Sequence, residues 1–239
     1  MRTRYLLPLS LVWLFSCASL QETDIVDRHY PSLGDLGSYD RALLPTDFHK
    51  IGSPSLQTPI PVSVREVPFD KAHFKKYMAY KKSRGAEQTL QFSDSLEQKP
   101  KYLCLALMDK IALGTALNQP ENSEVLRYLE QDSGYRLVHE VALVPNTEQM
   151  EWLTGNEPLF LANDANGSLV LQIGTRNALK EVPLSQLELF DYKTLGFCWA
   201  MDRYGKKRIA ALVDYGEGCP KHTEHKAHKL DKSKNPLRL

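Results

Sequence analysis

Four cysteines and three closely spaced histidines are the residues of this 239-residue chain whose types and spacing invite chemistry. Cys17 closes an apolar amino-terminal run, which leaves Cys104, Cys198 and Cys219 to form one disulfide among three pairings, with a thiol over. Cys198 with Cys219 is the preferred pair. A hairpin register with Met201 facing Ile209 sets Cys198 opposite Leu212 and Cys219 beyond the strand. Gly216 and Gly218 must then fold the chain back to bring the two Cα atoms within about 7 Å. The competing reading is three reduced, mostly buried thiols. His222, His225 and His228 follow directly, and neutral imidazoles beside a thiolate suit zinc or copper. Steps of three drift around a helix axis, and Lys221, Lys226 and Lys229 repel a cation, so a solvated basic tail is preferred over a metal site.

Other patterns fall short of a site. Asp164-Ala165-Asn166-Gly167 has a turn glycine, but aligning it with a calcium loop puts Ala162 first and Ile173 last, where carboxylates are required. His139-Glu140 lacks the second histidine of HExxH, and on a strand the two side chains face opposite ways. Glu148 and Glu151 are carboxylates whose separation the sequence does not give. Phe197, Trp199 and Tyr204 offer an aromatic face for a sugar or a peptide, although core packing is the commoner fate. With no nucleophile elbow, phosphate loop or dinucleotide fingerprint, neither a catalytic residue nor a cofactor is assigned.

The strongest signal is amino-terminal. Met1 to Arg4 is short and basic, Tyr5 to Phe15 (YLLPLSLVWLF) is nearly all apolar, and Ser16 precedes Cys17. This is the layout of a secretory signal, and the run is too short, and too interrupted by Pro8, for the roughly 20 apolar residues of a membrane-spanning helix. Leu14-Phe15-Ser16-Cys17 resembles the lipobox of bacterial lipoproteins. The resemblance implies that Cys17 is lipidated and becomes the first mature residue, and Ala18 implies outer-membrane rather than inner-membrane sorting. Acyl chains contribute about 0.8 kcal/mol per buried CH₂, so several together anchor stably.

The elements that carry these residues read as follows. Residues 1–16 are the signal peptide. Residues 17–60, rich in Pro, Gly, Ser and Asp, read as a lipidated start and a tether, onto which Tyr30, Leu33, Leu36 and Tyr39 have the means to pack. Residues 61–219 form a single domain, and residues 220–239 are a basic polar tail with six Lys or Arg against two carboxylates. Asp70 caps a helix whose Phe74, Tyr77 and Met78 form an apolar stripe up to Gly85, with Lys75, Lys76, Lys81 and Lys82 mostly opposite. Strands are expected at Thr89–Phe92, over Lys101–Leu117, an apolar run of ambiguous period whose Leu and Ala content would equally suit a buried helix, and at Arg136–Val144. Helices are expected at Ser123–Gln131 and Asn146–Leu153. Hairpins are expected around Asp164–Gly167 and Tyr204–Lys207. The sum is an α+β fold, mainly an antiparallel sheet with a few short helices. An acidic body argues against a nucleic-acid footprint. The partners expected are the membrane, through the anchor, and an envelope protein or glycan. A non-catalytic binding or assembly module is preferred over an envelope hydrolase or a tail-based metal binder.

Overall fold

A computed structural model describes residues 30–39, 48–87, 90–93, 95, 97–175 and 178–232. The signal segment, Cys17 and the lipobox lie outside the described residues. Among the described residues ten strands make one open sheet, and every pairing in it is antiparallel. At its centre β3 (Ile60–Pro68), β4 (Lys101–Leu107) and β5 (Tyr135–Leu143) lie side by side. Beyond β5 come β9 (Leu189–Met201) and β10 (Lys207–Asp214). Beyond β3 come β6 (Leu159–Asn163), β7 (Leu169–Thr175) and β8 (Ala178–Pro183). The short β1 (Leu36–Tyr39) joins β5 and carries β2 (Phe48–Gly52) on its other side.

Strand β4 shows why both faces are occupied. Leu103, Leu105 and Leu107 enter the larger core, while Tyr102 and Cys104 enter a second cluster with Phe69, Tyr77, Tyr80, Ala142 and Phe190. A strand buried on both faces is apolar throughout, which is why its period was ambiguous. The expected strand over Lys101–Leu117 stops halfway. Asp109 accepts hydrogen bonds from the N–H groups of Ile111 and Ala112 and starts α2 (Lys110–Leu117).

Helix α1 (Lys71–Ser83) covers the second cluster, capped by Asp70 on the N–H of His73 at 2.7 Å. Its buried stripe centres on Tyr77 and Tyr80, with Phe74 and Met78 at the margins. The lysine face is not wholly solvated, since Lys76 reaches Asp191 at 2.8 Å and Lys81 reaches Glu188 at 3.1 Å. Helices α3 (Ser123–Leu129) and α4 (Thr147–Leu153) fall where expected, the latter with a capping box between Asn146 and Gln149.

Both expected hairpins are closed by the same device. Oδ1 of Asp164 accepts from the N–H groups of Asn166 and Ser168, and Oδ1 of Asp202 accepts from those of Tyr204 and Lys206. Gly167 and Gly205 then take φ of 82° and 77°, which a side chain would oppose. The second hairpin has a different register from the one expected. Met201 pairs with Lys207, and an irregularity between Ile209 and Ala211 brings Cys198 opposite Ala211.

Four further expectations are corrected. The described part of the 17–60 tether belongs to the domain: Leu33, Leu36, Phe48 and Leu56 are core residues. Prolines there forbid helix but not extended chain laid against a sheet. Residues 90–93 form no strand; Phe92 stacks on Phe74 at 4.7 Å instead. Strand β8 and the first half of β9 were not anticipated. The described part of the tail is packed rather than frayed, because β5 stops pairing with β9 at Leu195 and Glu224 bridges Trp199 further along. Ala227 and Leu230 are buried behind that bridge, and Lys229–Lys232 forms α5.

The outer border of β10 is partly occupied by a side chain. Asn118 donates to the carbonyl of Ile209 at 2.8 Å and accepts from its N–H at 2.9 Å, as a neighbouring strand would.

Candidate functional site

His139 sits where β5 slips against β9. Val138 pairs with Thr194 and Glu140 with Lys193, leaving His139 as the extra residue of a bulge. Bulges re-aim a side chain. This one places the imidazole in a cavity of about 450 Å³ lined by Tyr39, Tyr192, Lys193, Thr194, Asp214 and Tyr215. The walls therefore come from β1, β5 and β9, with β10 and the residue after it completing them.

The polar groups of this pocket are unevenly satisfied. Asp214 is held by Lys110 at 2.7 Å, and that bond keeps its carboxyl below the usual range. Tyr39 and Thr194 share a hydrogen bond of 3.4 Å between hydroxyls. Burial pushes the Tyr192 phenol well up, so it stays protonated. His139 is only 9% exposed, yet its Nε2 has no hydrogen-bond partner. Asp214 Oδ1 is 3.4 Å away, close enough to attract but without bonding geometry. Burial lowers the imidazole pKa, and Lys110 adds to the effect while Asp214 opposes it. The ring is accordingly neutral near pH 7.

A buried ring nitrogen without a partner costs about 1–3 kcal/mol. His139→Leu should therefore raise stability by about 1 kcal/mol near neutral pH. Because the folded pKa lies below the ordinary 6.5, the unfolded chain takes up a proton first as pH falls, and stability drops from there downward. The leucine variant should lose that part of the acid sensitivity. Denaturant unfolding at pH 5 and pH 7.5 measures both effects, and a destabilised leucine variant would mean that the nitrogen is satisfied in solution.

Two other cavities read differently. A smaller cavity, about 160 Å³, shares Tyr192 and Lys193 and holds Cys104, whose thiol is pushed up by burial and so is a poor nucleophile. Glu140 is clamped there by Lys193 at 2.8 Å and Arg65 at 3.3 Å. A larger cavity, about 660 Å³, has Asp35 in its wall. That carboxylate is 1% exposed but accepts from Ser32, Ser53 and Lys50, which makes it a tie between β1 and the chain after β2.

No protein-family model, curated protein or solved structure matches this chain.

The residues singled out from sequence are dispersed. Cys198 and Cys219 are joined by a disulfide with Cα atoms 5.6 Å apart, and Cys104 is a buried free thiol. Of the tail histidines, His225 alone brings a nitrogen near the two sulfurs, all three atoms lying within 4.8 Å of one another; His222 and His228 fall outside that group. Trp199 is 1% exposed and Phe197 is also core, so neither offers a stacking face. Tyr204 is 79% exposed at the turn, with Arg203 over its ring. Glu148 is exposed and faces Lys180 at 3.7 Å rather than a second carboxylate. The pocket around His139 was missed because its parts are far apart in sequence. The available signal was His139, set beside Glu140 within the otherwise apolar run Leu137–Leu143 of β5.

Proposed function

We propose that this protein is a lipid-anchored binding module of the bacterial envelope, held through Cys17, that takes a sugar unit of an envelope glycan in the His139 pocket without transforming it. The observation that carries the binding part is the unpartnered Nε2 of His139 at the wall of a preformed pocket. A ligand hydroxyl both donates and accepts, so on a small outward turn of the imidazole, whose Nε2 is itself sealed from solvent, it satisfies this nitrogen and the adjacent Asp214 carboxylate together. The Tyr39 and Tyr192 rings supply apolar walls for a sugar ring, and the volume falls within the range of small-molecule sites. A hydrolytic reading lacks support: the single carboxylate in the pocket is tied to Lys110, and Thr194 is bonded to Tyr39.

The anchor part rests on the lipobox-like segment. Among the described residues no helix is long and apolar enough to cross a membrane. Titration of the detergent-solubilised chain with peptidoglycan fragments and outer-membrane oligosaccharides, followed by calorimetry, tests the binding. Saturable binding to the native chain, lost in both His139→Leu and Tyr192→Ala, is expected. No binding, or binding indifferent to both changes, overturns it. In the same cells, Cys17→Ser should move the protein out of the membrane fraction, and retention there overturns the anchor.

A further inference from the structure

The disulfide and His225 lie apart from the His139 pocket and serve no part of the binding reading. We propose that reduction of Cys198–Cys219 converts this clasp into a cation site, in which two thiolates and the His225 imidazole hold a zinc-class ion.

Three observations support it. The two sulfurs and one imidazole nitrogen already lie within 4.8 Å of one another. Zinc binds thiolate at about 2.3 Å and imidazole at about 2.0 Å, so ligand atoms around a tetrahedral ion are roughly 3.3–3.8 Å apart. Opening the S–S bond to that separation moves each sulfur by about 1 Å, within the reach of side-chain rotation. The position of His225 also does not depend on the disulfide alone. The preceding residue, Glu224, exchanges two main-chain hydrogen bonds with Trp199, the residue after Cys198, at 2.8 and 2.9 Å. Ala227 and Leu230 are buried just beyond. The imidazole and Cys198 are thus held on adjacent strands of backbone whether or not the sulfurs are bonded. Finally, the donor set is chemically right: two soft sulfurs and one borderline nitrogen select zinc or copper(I) over magnesium or calcium.

A dithiol reductant gives two electrons and two protons, becoming a disulfide itself, while the Cys198–Cys219 bond breaks to two thiols. The ion then displaces both thiol protons to solvent and takes the lone pair of neutral His225. Three protein ligands leave the fourth position to water, the pattern of an exchangeable rather than a closed structural site. In the oxidised chain neither sulfur is a thiolate, so the site exists only on the reduced side. His222 and His228, although spaced alike in sequence, have no role in it.

The test uses the detergent-solubilised full chain, oxidised or reduced and then freed of reductant under argon. Zinc is titrated against a chromophoric chelator, and cobalt(II) is added separately to read thiolate-to-metal charge transfer. The reduced chain is expected to bind one equivalent and show the charge-transfer band, and the oxidised chain to do neither. His225→Ala should bind at least tenfold more weakly, with His222→Ala and His228→Ala unchanged. Cys104 is present in every variant, so differences among them isolate the clasp. Equal binding by oxidised and reduced chains, or by His225→Ala and native, overturns the proposal. So does loss of the near-ultraviolet dichroism of the folded chain on reduction, because the site requires the backbone to hold.

Discussion

Phe190→Ala should cost about 4 kcal/mol of folding free energy, the middle of the range for a large aromatic removed from a packed core. Phe190 is 1% exposed on β9, and its ring lies 5.7, 5.6 and 5.4 Å from those of Phe69, Tyr77 and Tyr102. Helix α1 rests on this group through Tyr77 and Tyr80. Truncating the central ring leaves a cavity that those side chains, held by the sheet below and the helix above, do not refill. Urea unfolding followed by tyrosine fluorescence gives the value, with Tyr204→Ala as a control expected to change stability by less than about 0.5 kcal/mol. A loss under about 2 kcal/mol for Phe190→Ala would show that α1 rests on the sheet more loosely than described.

The second large effect is expected at the disulfide. Cys198 and Cys219 are 21 residues apart, and closing a loop of that size removes unfolded-state entropy worth about 3 kcal/mol. Cys219→Ser should lower stability by about that amount. It should also speed amide exchange at Trp199 and Glu224, whose mutual hydrogen bonds the bond helps to hold in place. Unfolding midpoints that coincide with and without reductant would show that the bond contributes nothing, and alkylation of both thiols in freshly purified protein would show that it does not form.

Local structure was legible where a side chain writes its own instruction into the backbone. Asp70 and Asn146 start helices because a short acceptor can reach the free N–H groups of the first turn. The Asp164 and Asp202 turns follow from the same logic one step on, with glycine where φ turns positive. Legibility failed where a partner decides. Leu33, Leu36 and Phe48 sit in a stretch whose prolines and glycines resemble a tether, and only pairing with β5 and β2 makes it part of the sheet. In β8, Ala178 to Pro183, only Val182 is buried, so its pattern lacks the alternation that marks a half-buried strand. The pocket failed for a related reason. A bulge is a mismatch between two strands, so nothing in the neighbours of His139 announces it, and Tyr39, Tyr192 and Asp214 meet it only once β1, β9 and β10 are assembled.

Asn118 has a consequence for how copies of this molecule meet. A bare strand border invites another chain to zip onto it, the first step toward filaments. Here the carboxamide fills one rung of β10, so an incoming chain must first expel it and break two bonds to Ile209. Crowding many copies together thus gives polymerisation a poor template along this rim.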